Sequence, residues 1–399
     1  MKWVSAFKYL SINYDACVAT VGNRTQRVSF DNNLNGDRIR LRFTNRYGKM
    51  PLQMDHVTIG VMHESMILNT VSVTLSGKSV IRLEPGQEIF SDEIKLSVQA
   101  GERLVVNIYI GEEQHIGNIC CLWSRTNGLV SLGEGDQTNG QELDAATYSN
   151  ILPMIRDDAS PDKIMFFYGF DAVQVYTDDD VKVVAAFGDS ITHMSYVTNA
   201  LGKRLHASYP GKASLINCGI GGNRLVHDAT YMEEIHQVVS AFGDAGVKRF
   251  ERDVFEIDAV DSVLSLIGIN DIMHPIQLEG KSEVTPPEEI MKGYKMIAEI
   301  AHSHGAKIYG ATIMAAGNDD YPENWLTAIE KCRLSINDWI RGENDFDGYF
   351  DYDAVMRDDC SPDYLLPGVH LGDGLHPNDR GGQIMAAAVD LAKLTGNSR

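Results

Sequence analysis

Basic residues are in short supply. The 399-residue chain has 35 Lys and Arg against 55 Asp and Glu, a formal net charge of −20. A chain this acidic repels phosphate backbones and anionic bilayers, which argues against nucleic acid or a membrane surface as its partner. Long apolar runs are also missing; none approaches the roughly 18–20 residues a transmembrane helix requires. The opening MKWVSAFKYL is interrupted by Lys8 before a signal-type apolar core forms, and no small-residue cleavage site follows. On that reading the chain is expected to be cytoplasmic. Proline is scarce at 12 residues, and the 36 glycines follow no collagen-like period, so no polyproline or triple-helical stalk is expected. Cysteine is limited to positions 17, 120, 121, 218, 332 and 360, with no C-x-x-C pair. That spacing excludes a zinc ribbon or a thioredoxin-type site. Most of the thiols are expected to be buried small hydrophobes. For the adjacent Cys120–Cys121, core packing is set against a redox pair.

What remains is an ordinary globular composition, 44% apolar and 23% charged, with material for a sizeable core. At about 150 residues per domain, the length points to two or three domains. The first 176 residues read as β structure. Arg38–Thr44 alternates strictly, arginines on one face and Ile39, Leu41 and Phe43 on the other, the period of a half-buried strand. Short runs of the same kind follow at 57–61, 71–75, 79–83, 103–110 and 173–177, punctuated by turn pairs such as Asn35-Gly36 and Pro85-Gly86. This spacing predicts a β sandwich or jelly roll. After Asp178-Asp179-Asp180 the pattern changes to strand–helix alternation. Strands are expected at 181–187, 214–217, 263–267, 307–313 and 348–352, and helices at 287–304 and 325–341. Thr285 and Glu288 offer a capping box for the first of these helices. Asn378 offers a cap for one last helix running to Gly396. Such alternation predicts an α/β domain with parallel strands and helices on both faces. The expected boundaries are 1–178 for the β-sandwich (jelly-roll-like) accessory domain and 179–399 for the α/β domain.

Ligands of parallel α/β sheets bind at the carboxyl ends of the strands. Three segments fall there, and a fourth lies near the C-terminus. Gly188-Asp189-Ser190-Ile191-Thr192 follows the first strand and sets a serine on a tight strand-to-helix turn, a placement that suits a nucleophile. Thr192 replaces the last glycine of a G-x-S-x-G elbow. Asn217-Cys218-Gly219-Ile220-Gly221-Gly222-Asn223-Arg224 follows the second strand; Arg224 in the third glycine position weakens a dinucleotide reading. Gly268-Ile269-Asn270-Asp271 follows the third, where an asparagine amide can donate. Gly372-Asp373-Gly374-Leu375-His376-Pro377 brings an acid and a histidine within one turn, half of a hydrolytic triad. Each segment alone is also an ordinary turn. With His370, the last one reads alternatively as a metal cluster of His370, Asp373 and His376, which leaves the other three without a role.

In this order the four blocks resemble those of the SGNH hydrolases, also called the GDSL family, over the region from about Val181 to the end. The stretch around 36–60 resembles the β domain that precedes this module in some two-domain bacterial esterases. The resemblance implies a flavodoxin-like three-layer sheet and a serine esterase without metal or organic cofactor. It implies Ser190 as nucleophile, His376 as general base and Asp373 as the residue that orients it. The implied oxyanion hole is formed by the backbone N–H groups of Ser190 and Gly222 and the side-chain amide of Asn270. Family members often have a glycine soon after the serine block; here His193 and Met194 follow. His193 and His227 are read as pocket-lining or surface and helix-packing residues, Arg224 as facing an anionic or sugar substrate or forming a surface salt bridge. Asp189 and Asp271 are read as backbone-bonding residues that shape their loops. The expected substrate is a small-molecule or oligosaccharide ester, with short acyl groups such as O-acetyl on saccharides in first place. A lysophospholipase or thioesterase activity, a non-catalytic carbohydrate-binding role and a metal-dependent hydrolase are the alternatives.

Overall fold

The computed structural model describes residues 1–63, 66–122, 128–140 and 165–396. The stretch 141–164 of the expected all-β region lies outside the described residues. Compactness divides the chain into two units, one of residues 1–181 with 206–216, the other of residues 182–205 with 217–399.

The first unit is built on two five-stranded antiparallel sheets. In one, Gly36–Thr44 is flanked by Gly169–Thr177 and, on its other side, by Glu88–Phe90 and Ile94–Val98, with Lys2–Lys8 beyond Gly169–Thr177. In the other, the order is Gly128–Glu134, Arg24–Asp31, Arg103–Ile110, His56–His63, Met66–Ser72. Phe7 of the first sheet stacks on Phe30 of the second with ring centroids 4.4 Å apart, and Phe167 and Phe170 pack around it. This is the face-to-face sandwich that the alternating strands predict. One expectation needs correcting. The arginine face of Arg38–Thr44 is not a solvated face throughout. Arg42 is buried and paired with Asp171 at 2.6 Å, and the Arg40 guanidinium lies over the rings of Trp3 and Phe90. Neighbouring residues cover that side, so the period of two marks alternation of side chains without marking exposure. Cys120 and Cys121 are buried free thiols, and burial pushes the Cys121 thiol up to about 12. A thiol held so firmly protonated is inert, in keeping with core packing.

The chain from residue 182 on carries a five-stranded parallel sheet: β1 (Lys182–Gly188), β2 (Ala213–Gly219), β3 (Ser262–Leu266), β4 (Lys307–Ala311) and β5 (Gly348–Phe350), in the order 2-1-3-4-5. It is the flavodoxin-like order, whose switch point lies between β1 and β3. The helices are α1 (Ser190–His193), α2 (Tyr196–Ser208), α3 (Gly246–Phe255), α4 (Ile269–Gln277), α5 (Pro287–Ser303), α6 (Glu323–Arg341), α7 (Tyr352–Met356), α8 (Asp379–Ala387) and α9 (Leu391–Thr395).

Two capping expectations change. At α5, Pro286 takes the N-cap position and no side chain caps the helix, because its extended ψ of 135° leaves Thr285 one residue outside. The expected last helix is two helices. Asn378 caps α8 through the Arg380 and Gly381 amides, and Asp390 starts α9 by accepting from Ala392 N. An internal capping residue ends one helix by offering the backbone a better local partner. Among the described residues no helix is long and apolar enough to cross a membrane.

Candidate active site

β1 is buried from Val183 to Gly188, the pattern of a parallel strand covered on both faces. It ends at Gly188, where a Cβ would sit 2.1 Å from Thr192 Oγ1 and 2.4 Å from the Leu266 carbonyl, so the turn closes only on glycine. Asp189 caps α1: its Oδ1 accepts from Ile191 N at 3.0 Å. Its carboxyl is fully buried. Burial raises it to about 7 against the opposing pull of the Ile191 amide and the charge of His376. The next residue, Ser190, opens α1.

The C-terminal loop reaches back to this point. His376 Nε2 lies 2.8 Å from Ser190 Oγ, and His376 Nδ1 lies 2.6 Å from Asp373 Oδ2. Asp373 Oδ1 also accepts from the Leu375 and His376 amides, both at 3.0 Å. Burial works against the ionised carboxyl, but the His376 ring and these amides outweigh it and hold Asp373 well below the usual carboxylate range. An ionised carboxylate only accepts, so Nδ1 of His376 donates. Nε2 is then left as the acceptor for the serine hydroxyl. His370 supports the loop from within: its Nδ1 accepts from the Gly372 and Gly374 amides at 3.1 and 3.0 Å. Among the described residues, no group of three or more His, Cys, Asp or Glu side chains is arranged to hold a metal ion.

The glycine block is fastened to the serine turn at several points. Ile220 N donates to the Gly188 carbonyl at 3.1 Å and Gly221 N to His193 Nδ1 at 3.1 Å. Gly222 has φ +72°, and a Cβ there would stand 2.2 Å from the Phe242 ring, so both conformation and space demand glycine. Asn270 Nδ2 donates to the Asn223 carbonyl at 3.0 Å, which ties the third block to the second and leaves its other amide hydrogen for a further acceptor. Asp271 accepts from Leu225 N at 2.6 Å and Val226 N at 3.0 Å. Asp189 and Asp271 thus shape their loops through backbone amides, as read from the sequence.

Arg224 departs from expectation, whereas His193 and His227 fall within the readings left open. Arg224 neither faces a substrate nor sits at the surface: it pairs with Glu279 at 2.8 Å, the two side chains 6% and 9% exposed. His193 is buried, as a packing residue of α1. His227 lines a polar cleft of about 590 Å³ with Lys281, Glu283, Thr285 and Glu289.

One residue escaped sequence reasoning. The guanidinium of Arg249 on α3 donates to the carbonyls of Gly188 and Cys218 and to Asn223 Oδ1 at 2.8–3.0 Å, pinning the ends of β1 and β2 to the glycine block. Its signal was a charged i,i+4 pair, Arg249 with Asp253, on the stripe of α3 that also buries Phe250 and Val254.

Residues 186–384 match the model of the GDSL-like lipase/acylhydrolase family. The chain carries a GDSL-like domain. Carboxylic ester hydrolysis is its activity. No curated protein matches the chain. Among solved structures it is similar to an acetyl xylan esterase, AlAXEase, at 22% identity, over 52% of this chain and 96% of the other, with a TM-score of 0.38. It is also similar to LAE5, an alpha/beta hydrolase enzyme from the metagenome of Lake Arreo, Spain, at 21% identity, over 54% and 97%, with a TM-score of 0.39. A mutant of Axe2, an acetyl-xylooligosaccharide esterase from Geobacillus, matches at 19% identity over 54% and 95%, TM-score 0.39. None of these likenesses fixes a substrate for the GDSL-like domain.

Proposed function

We propose that the GDSL-like domain hydrolyses esters of short acyl groups, O-acetyl groups on saccharides foremost, through an acyl-enzyme on Ser190. The observation that carries this reading is the continuous hydrogen-bonded line from Ser190 Oγ through the His376 ring to Asp373, with links of 2.8 and 2.6 Å. A serine hydroxyl is a weak nucleophile at neutral pH and needs an adjacent base. In the first half-reaction Ser190 Oγ bonds to the ester carbonyl carbon and its proton passes to His376 Nε2. The carbonyl π pair moves onto oxygen. The resulting oxyanion is met by the backbone N–H groups of Ser190 and Gly222 and by the side-chain amide of Asn270. Collapse breaks the carbon–oxygen bond of the ester, and the departing alkoxide takes the proton from His376. Water then repeats the sequence: it gives a proton to His376, adds to the acyl carbon, and Ser190 leaves with that proton. Asp373 stays ionised throughout and keeps the imidazole in the tautomer that serves Ser190.

The saccharide preference is supported by composition around the serine. The blocks that bear the site, Gly219–Arg224, Gly268–Asp271 and Gly372–Pro377, are mostly Gly, Asn, Asp, Arg and His. Asn223, Arg224 and Asp271 are buried and turned to the protein's own groups, so the support lies in how little apolar surface these turns offer a long acyl chain. The test is a panel of acetylated oligosaccharides and aryl esters of rising acyl length, assayed beside labelling by a serine-directed fluorophosphonate. Fast turnover of acetyl esters with one adduct on Ser190 is expected. Preference for long acyl chains or thioesters would move the substrate to the lysophospholipase or thioesterase class. Absence of any adduct on folded protein would remove the acyl-enzyme.

A further inference from the structure

His193 has no part in the proton relay, yet it is buried one helical turn beyond Ser190. We propose that His193 is a positioning residue for the oxyanion hole, holding the Gly221–Gly222 turn so that the Gly222 N–H faces the reacting carbonyl. The inference rests on the serine esterase reading and assigns a further residue to it.

The geometry is specific. His193 Nδ1 accepts the Gly221 N–H at 3.1 Å, and Gly221 immediately precedes the donor Gly222. Ser190 and His193 are the first and last residues of the same short helix, so nucleophile and clamp share one rigid frame. Backbone packing locks the arrangement: a Cβ on Gly219 would lie 2.4 Å from His193 N. Two glycines in succession have more conformational freedom than any other dipeptide. Fixing a backbone costs conformational entropy at every residue. A hydrogen bond to the first of the pair meets part of that cost before substrate arrives, which is how preorganised donors gain their advantage. For Nδ1 to accept, the ring must be neutral with its proton on Nε2. Burial, with Arg249 acting in the same direction, lowers His193 to about 4, so the ring is neutral at pH 7.

The test compares His193→Asn, whose Oδ1 falls near the place of Nδ1, with His193→Leu, which keeps bulk and removes the acceptor. Active sites are counted by fluorophosphonate titration, so a partly unfolded sample does not imitate a loss of kcat. With p-nitrophenyl acetate, H193L is expected to lower kcat about 10–100-fold and to move KM less than about two-fold, somewhat less than the loss from deleting one oxyanion donor. Affinity for an aryl boronic acid, which bonds Ser190 as a tetrahedral anion, should fall by a similar factor, and H193N should recover most of both. Wild-type kcat and boronate affinity in H193L would overturn the inference, as would equal losses in both variants, the mark of simple packing. Ser190→Ala run in parallel separates the two levels. An active S190A removes the serine reading itself, whereas an inactive S190A beside an unimpaired H193L removes only the role of His193.

Discussion

His376 Nε2 meets Ser190 Oγ at 2.8 Å across 186 positions of chain. The contact joins the first strand-to-helix turn of the parallel sheet to the loop before α8. It requires both the sheet order and the folded C-terminal loop. If it is the proton relay, the two residues act as one unit, and losing either costs about as much as losing both. Ser190→Ala, His376→Ala and the double variant are each expected to lower kcat by about 10⁴–10⁶, with no further drop from single to double. Steady-state rates on an aryl acetate, read beside the uncatalysed hydrolysis, check this. Additive losses would show that the two side chains act separately.

Asn270 gives one amide hydrogen to the Asn223 carbonyl. The other is proposed to serve the oxyanion. Asn270→Ala is therefore expected to lower kcat by about 10²–10³ and leave KM nearly unchanged, because the interaction develops in the transition state and not with bound ester. Asn270→Asp should do at least as badly, since a carboxylate repels the developing negative charge. A mutant whose KM rises while kcat holds would mean that Asn270 binds the ground state.

How far the site was legible depended on how local each signal is. The four blocks could be read because a turn at a strand end needs particular residues within five or six positions. Gly222, Asn270 and Asp373 all belong to such turns. The roles of His193 and Arg249 were hidden because their partners are main-chain groups 28 and 61 residues away, Gly221 N and Gly188 O. An imidazole that accepts one distant amide leaves no pattern along the chain. The fold was legible for the same reason the burial of Arg42 was not. Period two and strand–helix alternation report which side chains share a face, but Asp171, which neutralises Arg42, lies 129 residues further on. The break between α8 and α9 was a question of competition. Ile384, Ala388 and Leu391 keep helical spacing, and only the local pull of the Asp390 side chain on Ala392 N restarts the helix.

The Arg42–Asp171 pair invites a separate measurement, away from the site. The side chains are 7% and 1% exposed, joined at 2.6 Å, with Glu88 3.7 Å from the same guanidinium. Removing one partner strands a buried charge, so Asp171→Ala is expected to cost about 3–5 kcal/mol in the β unit. The double replacement Arg42→Met with Asp171→Leu should recover most of it, because an apolar pair of similar volume has no desolvation penalty. Urea unfolding followed by tryptophan fluorescence would detect both. Equal stability of Asp171→Ala and the wild type would mean that the pair is solvated in solution.

Asp189 offers the clearest dependence on pH. Its carboxyl caps α1 through Ile191 N, and burial raises it from an ordinary 3.8 to about 7, ahead of the opposing effects of that amide and of His376. A group whose folded pKa is raised adds stability below its unfolded pKa and loses it as pH climbs through the folded value. The wild type should therefore become less stable between about pH 4 and pH 7 on account of this residue. Asp189→Asn keeps the capping oxygen and cannot ionise. Its unfolding free energy should gain on that of the wild type by at most about 1.4 kcal/mol per pH unit across this window, then level off at higher pH. Thermal unfolding at pH 4, 5, 6, 7 and 8 measures the difference. A constant gap between variant and wild type would show that Asp189 titrates normally. A gap that opens downward, with the variant weaker at high pH, would mean that the ionised carboxylate is stabilised, the Ile191 amide and His376 outweighing the cost of burial.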